Sequence, residues 1–386
     1  MKKKNQSICV KVVGLGAAGL RLVDKLAALE FPASQFLVLD TDCQELQRCQ
    51  LAERIQLGEA DRRGWGCSGD VGEGAKCVRA ARDLLAGKLS GADLVVIVTG
   101  LGGGMGGGGA PVVAELAAEC GALTVVLAIE PLELESRSES ASLSLQRLAQ
   151  VADTVVRLSN QGVIERQGKG CLVPKCLEVS DNLVLESLMG LGRLMQSDGL
   201  LNIDFAHVRK IVGGQHGESH MATVEVAGDA RPRALMDAIL KHPFLEAENH
   251  LREAEGLLIS LAGSESLSMA EVHEFVEYLK AAAPEAQLAL GVHIDESLGK
   301  YLGAMVMMPC ASAVVPEGEP EQPVNRLPAE SEGELPLGLA DIPNLAQQQL
   351  PLVAVSKGRF DKGEPTVHDG EDLDVPTFLR RNLLLN

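Results

Sequence analysis

The apolar residues of the first 160 positions form short, mostly continuous runs rather than an alternating pattern. Five runs are each four to seven residues long and rich in Val, Ile and Leu, at residues 8–13, 36–39, 94–98, 123–129 and 155–158. Such runs are typical of strands buried on both faces of a parallel sheet. Helix-like segments follow the first and third runs, to about Glu30 and over residues 112–120. This half of the chain therefore predicts an α/β fold.

A long helix and a second α/β region follow in the sequence. Residues 178–196 carry leucines at helical spacing, including Leu183, Leu188 and Leu191, as expected of an amphipathic helix. Beyond it, four strand-like runs alternate with two helix-like segments. The strands are at 221–226, 257–261, 287–292 and 304–308, and the helices are at 232–240 and 269–282. A chain of 386 residues with this layout predicts two domains.

The composition changes at residue 316. Residues 316–365 hold eight of the seventeen prolines, together with many Glu and Gln residues, so this stretch has too little apolar surface to fold and predicts a linker. The final segment, residues 371–386, begins with acidic residues, continues with Leu, Val, Phe and Leu, and then has Arg380 and Arg381. That order is typical of an amphipathic docking peptide.

Charge and cysteine usage narrow the class of protein. The net charge of −18 argues against nucleic-acid binding and against insertion into an anionic membrane surface, since both need a basic face. Nine cysteines without a Cys-x-x-Cys pair favour reduced thiols in a cytoplasmic protein. The basic N-terminus lacks an uninterrupted apolar stretch, so neither a signal peptide nor a membrane span is predicted. His216 and His220 lie in a Gly/Ser-rich stretch, and no metal site built from protein side chains is predicted.

The first glycine motif supports two interpretations. Residues 14–19 read Gly-Leu-Gly-Ala-Ala-Gly directly after a strand, and Asp40 ends the next strand. Taken alone, this is the G-x-G-x-x-G fingerprint of dinucleotide binding with an acid for the ribose. An oxidoreductase that uses NAD or FAD is therefore one alternative.

A second glycine-rich stretch weakens the dinucleotide-binding interpretation. Eight of the ten residues from Gly100 to Gly109 are glycine, between a buried strand and a helix. Glycine backbone N–H groups beside a helix N-terminus favour phosphate binding. Two such loops at the ends of two parallel strands suit one long phosphate chain held between them.

These motifs carry a resemblance to the tubulin/FtsZ GTPases. Residues 11–19, Thr41-Asp42, Gly64-Trp65-Gly66 and residues 100–111 occur in the order and spacing of that family. The chain resembles bacterial FtsZ from about residue 8 to 309 and again at the C-terminus. The resemblance implies a tubulin-like α/β fold, in which a parallel-sheet GTP-binding domain is joined by a long central helix to a second, smaller α/β domain. Its segments would be a tail at 1–7, the GTP-binding domain at 8–177, the central helix at 178–197, the activation domain at 198–315, the linker at 316–370 and the docking peptide at 371–386.

The resemblance also implies the ligands, which are GTP and GDP with Mg²⁺ accompanying the nucleotide. The positions that match the nucleotide contacts of the family are Gly14, Gly16, Ala17, Ala18, Gly19, Leu20, Arg21, Gly102, Gly103, Gly104, Met105, Gly106, Gly107, Glu135, Glu139, Asn160 and Asp181. Glu139 stands where the family has an arginine, and Arg137 is close enough to replace it. The resemblance places Asn160 and Asp181 at the guanine base. Asn160 is also an ordinary turn residue and Asp181 an ordinary helix N-cap, so both alternatives stay open.

Catalysis in the family depends on a loop that enters the site of the neighbouring subunit. Asn202 and Asp204 match this loop, whereas His207 replaces its second acid. The resemblance implies head-to-tail filaments of this chain, possible co-assembly with another FtsZ, and binding of an FtsA-like membrane tether through residues 372–381. It places the protein in the cytoplasm, at the division site in mid-cell.

Several departures from the family predict altered chemistry. His207, Met105 and Arg21 replace an acid, a hydroxyl residue and a polar amide, which removes side-chain ligands while leaving backbone donors. We therefore expect looser nucleotide binding and slower hydrolysis. A non-hydrolysing or weakly hydrolysing paralogue that regulates another FtsZ, and a scaffold that binds no nucleotide, are the remaining alternatives.

Overall fold

The computed structural model describes residues 8–29, 31–51, 53–58, 63–168, 170–195, 199–214, 216–245, 251–252 and 254–309, together with two short strands near the C-terminus. Contacts divide the chain into two units, Met1–Gly318 and Glu319–Asn386. The tail at 1–7 lies outside the described residues, as do residues 316–366 and 373–386 of the predicted linker and docking peptide.

One ten-stranded sheet runs through the first unit. Its strands are β1 (Val10–Leu15), β2 (Gln35–Asp40), β3 (Arg54–Gln56), β4 (Leu94–Gly100), β5 (Leu123–Glu130), β6 (Thr154–Ser159), β7 (Gly217–Val226), β8 (Gly256–Gly263), β9 (Gln287–Ile294) and β10 (Leu302–Pro309). Their order is β3-β2-β1-β4-β5-β6-β7-β10-β8-β9. The seven strands from β3 to β7 in this order are parallel to one another, whereas β10 is antiparallel to both β7 and β8. All nine strands predicted from the apolar runs are present; the short strand β3 was not predicted.

Eleven α-helices lie among the described residues. They are α1 (Gly16–Ala27), α2 (Cys43–Arg48), α3 (Val71–Ala80), α4 (Arg82–Leu89), α5 (Ala110–Glu119), α6 (Ser138–Val151), α7 (Asn160–Gln167), α8 (Val173–Met195), α9 (Phe205–Val212), α10 (Arg231–Leu240) and α11 (Met269–Ala282). The central helix α8 begins at Val173 rather than at residue 178. None of these helices is long and apolar enough to cross a membrane.

The apolar runs are explained by burial on both faces of the sheet. Val12 and Val96 face a core shared with α1 and α8, whereas Val13 and Ile97, their neighbours in sequence, face a core shared with α3 to α6. A strand covered on both sides has no polar face, so its sequence does not alternate. The α/β prediction is confirmed.

The sheet continues without a break from strands β1 to β6 into strands β7 to β10. Strand β6 pairs with β7 in parallel, with Thr154 opposite Gly217. A third core, which includes Leu235 of α10 and Phe275 of α11, packs against β7 to β10. The two predicted α/β regions therefore share one sheet, and α8 packs against α1 and α7 of the first region and against β7, β8 and β10 of the second.

Glycine residues set how closely several elements approach. A Cβ atom at Gly19 of α1 would overlap the Val98 carbonyl oxygen of β4, and one at Gly108 would overlap the Val71 carbonyl oxygen at the start of α3. Gly104–Gly109 is not an open loop, because it forms a π-helical turn that continues into α5. Part of the glycine run is thus required for backbone packing rather than for ligand access.

Two local features differ from the sequence predictions. The structure pairs Cys171 with Cys176 as a disulfide, whereas reduced thiols were predicted for all cysteines; a spacing of five residues places both at the start of α8. In the second unit, β11 (Val367–His368) pairs with β12 (Glu371–Asp372). This hairpin crosses the predicted boundary between linker and docking peptide.

The packing of the glycine run predicts contrasting effects of alanine. Gly108→Ala should destabilise the fold by about 3 kcal/mol or more, because backbone at Val71 cannot move aside as a flexible side chain can. Gly103→Ala should be tolerated, since no atom lies within 4 Å of its added Cβ and its φ of −91° suits alanine. Thermal unfolding of the two variants checks this. Equal melting temperatures would contradict the packing role.

Candidate functional site

A cavity of about 470 Å³ opens where the parallel strands end. Its walls come from the carboxyl ends of β1, β2, β4, β5 and β6 and from the segments that follow them. Ligands of open α/β sheets bind in this position. The lining residues are Leu15, Gly16, Ala17, Ala18, Asp40, Asp42, Glu45, Trp65, Gly66, Cys67, Ser68, Gly69, Gly100, Leu101, Gly103, Gly104, Met105, Gly106, Ile129, Glu130, Pro131, Glu135, Arg137 and Asn160.

Backbone from the two glycine motifs meets in this cavity. Gly16 has a φ of +69°, and a Cβ there would lie 3.4 Å from the Gly106 nitrogen. The Leu15 side chain makes no capping hydrogen bond to the first turn of α1, and that turn carries no acidic residue. The backbone N–H groups at the start of α1 and the positive end of its macrodipole therefore make the site suited to an anion.

The charged side chains that line the cavity are mostly acidic, so their net charge is negative, like that of an anionic ligand. Among the residues that the structure describes, five carboxylates and one cation, Arg137, line the cavity; the carboxylates belong to Asp40, Asp42, Glu45, Glu130 and Glu135. Arg157 binds Glu130 at 2.9 Å, and Arg137 lies 3.8 Å from Glu135. Burial raises the pKa of Asp40, against the opposing effect of the N–H groups of Asp42 and Thr41. An anionic ligand would thus be held by backbone and needs a cation to offset the carboxylates.

Nine of the seventeen predicted nucleotide-contact residues line the cavity. These are Gly16, Ala17, Ala18, Gly103, Gly104, Met105, Gly106, Glu135 and Asn160. The others do not line it: Gly14, Gly19, Leu20, Arg21, Gly102, Gly107, Glu139 and Asp181. Arg137 takes the place expected of Glu139.

Close packing accounts for several glycines behind the cavity wall. A Cβ at Gly14 would lie 2.7 Å from the Gly19 oxygen, and one at Gly107 would lie 2.6 Å from Ser144 Oγ. Gly102 has a φ of +80° and faces Arg137. These glycines shape the site without reaching its interior.

Two residues predicted to contact a base have internal partners. Asn160 begins α7, and its Oδ1 accepts a hydrogen bond from Ser180. Asp181 lies inside α8 rather than at its N-terminus, so the N-cap alternative is wrong. Its carboxylate binds Arg21 at 2.8 Å and Lys25 at 2.9 Å.

Some lining residues were not among the predicted contacts. Asp42 and Glu45 follow β2. The backbones of Asp42 and Trp65 form an isolated antiparallel β-bridge at the cavity rim, and Trp65 is 82% exposed. An exposed tryptophan at the mouth of a cavity is suited to an interface contact. The sequence shows that Asp42 follows a buried strand, but it does not show that Asp42 lines the cavity.

The predicted catalytic residues lie elsewhere. Asn202, Asp204 and His207 are exposed and do not line the cavity. Asp204 Oδ1 accepts the Ala206 N–H at 3.0 Å and caps α9, while His207 Nε2 lies 3.2 Å from the Gln287 side-chain amide. One copy of the chain therefore does not bring these residues to its own cavity.

Comparison with known proteins decides the family. A model of the Tubulin/FtsZ family GTPase domain matches residues 9–167, and one of the FtsZ family C-terminal domain matches residues 217–310. The cell division protein FtsZ of Coxiella burnetii is 30% identical over 381 residues, covering 97% of each chain. The chain belongs to the FtsZ family. Residues 9–167 are accordingly a tubulin/FtsZ-type GTPase domain, and the oxidoreductase alternative is wrong.

Further FtsZ proteins agree with this assignment. FtsZ 1 of Pyrococcus abyssi is 30% identical over 87% of this chain and 88% of its own. The structure of an empty FtsZ dimer from M. jannaschii matches with a TM-score of 0.74 at 29% identity, covering 79% of this chain and 89% of that one. CetZ1 of Haloferax volcanii, with a TM-score of 0.68 at 20% identity, shares the fold. The FtsZ-type architecture is thus shown by both sequence and structure.

Proposed function

We propose that this chain binds GTP and GDP in the cavity at the strand ends and forms head-to-tail filaments at the division site of the cell. The observation that carries the proposal is the separation of two parts of one site. The cavity supplies backbone for phosphates, whereas Asn202 and Asp204 lie on an exposed segment away from it. A second copy is needed to bring them together, and repetition of such a heterologous contact builds a filament.

The cavity side chains support a nucleotide that carries Mg²⁺. Among the described residues, no group of three or more His, Cys, Asp and Glu side chains is arranged to hold a metal. Mg²⁺ usually binds proteins through one or two carboxylates plus substrate phosphates, and Asp42 and Glu45 are carboxylates of the cavity. When bound, the ion would neutralise phosphate charge; the glycine backbone would bind and orient the phosphates.

The proposed hydrolytic step uses the exposed segment of the neighbouring copy. Asn202 and Asp204 would orient the attacking water, because phosphoryl transfer depends mainly on positioning and charge stabilisation. Two exposed leucines beside them, Leu200 at 69% and Leu201 at 46% exposure, provide apolar surface for the contact between copies. The exposed Trp65 at the cavity rim would meet this surface.

The C-terminal peptide would link the filament to a tether. Residues 373–381 lie outside the described residues, so this proposal rests on the sequence pattern and the family. We propose that residues 372–381 bind an FtsA-like protein. This attachment would place the filament at the cytoplasmic side of the division site.

The shared site predicts a concentration-dependent activity. GTP turnover per subunit should rise with protein concentration. Asp204→Asn should lower turnover about 10²-fold, the scale for losing one stabilising group in a transition state, while GDP affinity stays unchanged. Asparagine is chosen because it caps a helix as well as aspartate does. Asp229→Asn, an exposed change of equal charge, is the control. Turnover independent of concentration would contradict the shared site.

His207 favours a second candidate function, in which the chain is a weakly hydrolysing FtsZ that regulates another. A histidine is a poor Mg²⁺ ligand and lacks the negative charge of an acid. In this case the chain would show little turnover alone and would change the turnover of an ordinary FtsZ when mixed with it.

Restoring the acid tests whether His207 slows hydrolysis. His207→Asp should raise GTP turnover several-fold, and an acid in the first turn of α9 also suits the helix dipole. His207→Asn removes the Gln287 contact to the imidazole without adding charge and should leave turnover low. Steady-state phosphate release measures both. An unchanged rate in His207→Asp would show that this position does not limit hydrolysis.

A further inference from the structure

Asp181, which does not itself line the cavity, is paired with two cations. Arg21 Nη2 lies 2.8 Å from Oδ1, and Lys25 Nζ lies 2.9 Å from Oδ2. The Asp181 side chain is only 10% exposed, whereas Arg21 and Lys25 are 49% and 45% exposed. Each carboxylate oxygen therefore already has a charged partner, and the cations lie on its solvent side.

The ion pairs adjoin the cavity through two helices. On α1, Ala17 lines the cavity, and Arg21 and Lys25 follow at successive i+4 positions on the same face. On α8, Ser180 immediately precedes Asp181 and donates a hydrogen bond to Asn160, which lines the cavity. Asp181 is thus linked through adjacent residues to two residues of the cavity lining, Ala17 and Asn160.

We infer that Arg21 competes with the guanine base for Asp181 and thereby sets the base selectivity of this chain. The inference rests on the proposed function. Guanine presents N–H donors at N1 and N2 that a carboxylate can accept, and they compete with the guanidinium N–H for the same oxygens. Because Arg21 is half exposed, its side chain can swing into solvent and release Oδ1. Guanine must displace this contact to bind Asp181.

Removal of Arg21 is expected to change nucleotide affinity in two opposite ways. Removing Arg21 strengthens the base contact, although it also removes a positive charge and so weakens phosphate binding. The second effect acts equally on any nucleoside diphosphate. Inosine diphosphate lacks the N2 amino group of GDP, so the ratio of its Kd to the Kd of GDP isolates the base contact.

The experiment compares GDP and inosine diphosphate by calorimetric titration in Mg²⁺ buffer, using the full chain. Arg21→Gln should raise the Kd ratio about two- to fivefold, the range for one exposed ion pair. Arg21→Lys, which keeps a cation, should raise it less. Arg82→Gln removes a cation from the exposed pair with Glu119, outside the cavity lining, and should leave the ratio unchanged.

Two outcomes would overturn the inference in different ways. A ratio that is unchanged or lower in Arg21→Gln, with GDP still bound, would show that Arg21 does not compete for Asp181 or that it reads the base itself. Failure of the unsubstituted chain to bind either nucleotide would contradict the proposed function, and with it the basis of the inference. Circular dichroism of each variant confirms that folding is retained.

Discussion

Close backbone contact between the glycine run and its neighbours is the constraint on which the rest of the structure depends. Gly104–Gly109 forms a helical turn wedged between α3, β4 and α6, where added Cβ atoms would overlap Val71, Gly100 and Ser144. Only glycine permits this approach. The contact places the start of this helical turn beside the start of α1, so that both glycine segments and the N-terminus of α1 face one cavity.

This constraint explains the chemistry of the site. With backbone as the main donor of hydrogen bonds, the side chains around the cavity are free to be acidic, and five of them are. The arrangement favours a phosphate chain bound together with a divalent cation over a bare anion. It also explains how the chain tolerates Met105 in place of a hydroxyl residue. The side chain packs in the core beneath the glycine turn and is 5% exposed, while its backbone stays at the cavity.

The sequence predicted the strands well, and it singled out the two glycine motifs that meet in the cavity, because both features depend on local patterns. Runs such as 94–98 and 123–129 have no polar face, and the two glycine motifs lie directly after strands. Side-chain partners were less predictable. Asp181 was expected to face a base but binds Arg21 and Lys25, which lie more than 150 positions away in the sequence. Ion pairs between distant segments leave no periodic pattern.

Short helices and the role of individual glycines were also missed. The helix α9 begins at Phe205 in a segment expected to be a loop, and the cap by Asp204 becomes clear only from the Ala206 contact. Gly107 and Gly108 were grouped with the loop, since glycine used for packing and glycine used for ligand access look identical in a sequence. Distinguishing them requires knowing what lies opposite each Cα atom.

In the proposed filament, the cavity of one copy and the Asn202–Asp204 segment of another form one site. A mixture of two variants that are each inactive alone tests this arrangement. Gly103→Glu would add an acid where a Cβ meets open space, which impairs the cavity, and Asp204→Asn would impair the exposed segment. By random pairing, an equimolar mixture should recover about a quarter of the unsubstituted turnover. No recovery in mixtures of the two folded variants would contradict the shared site.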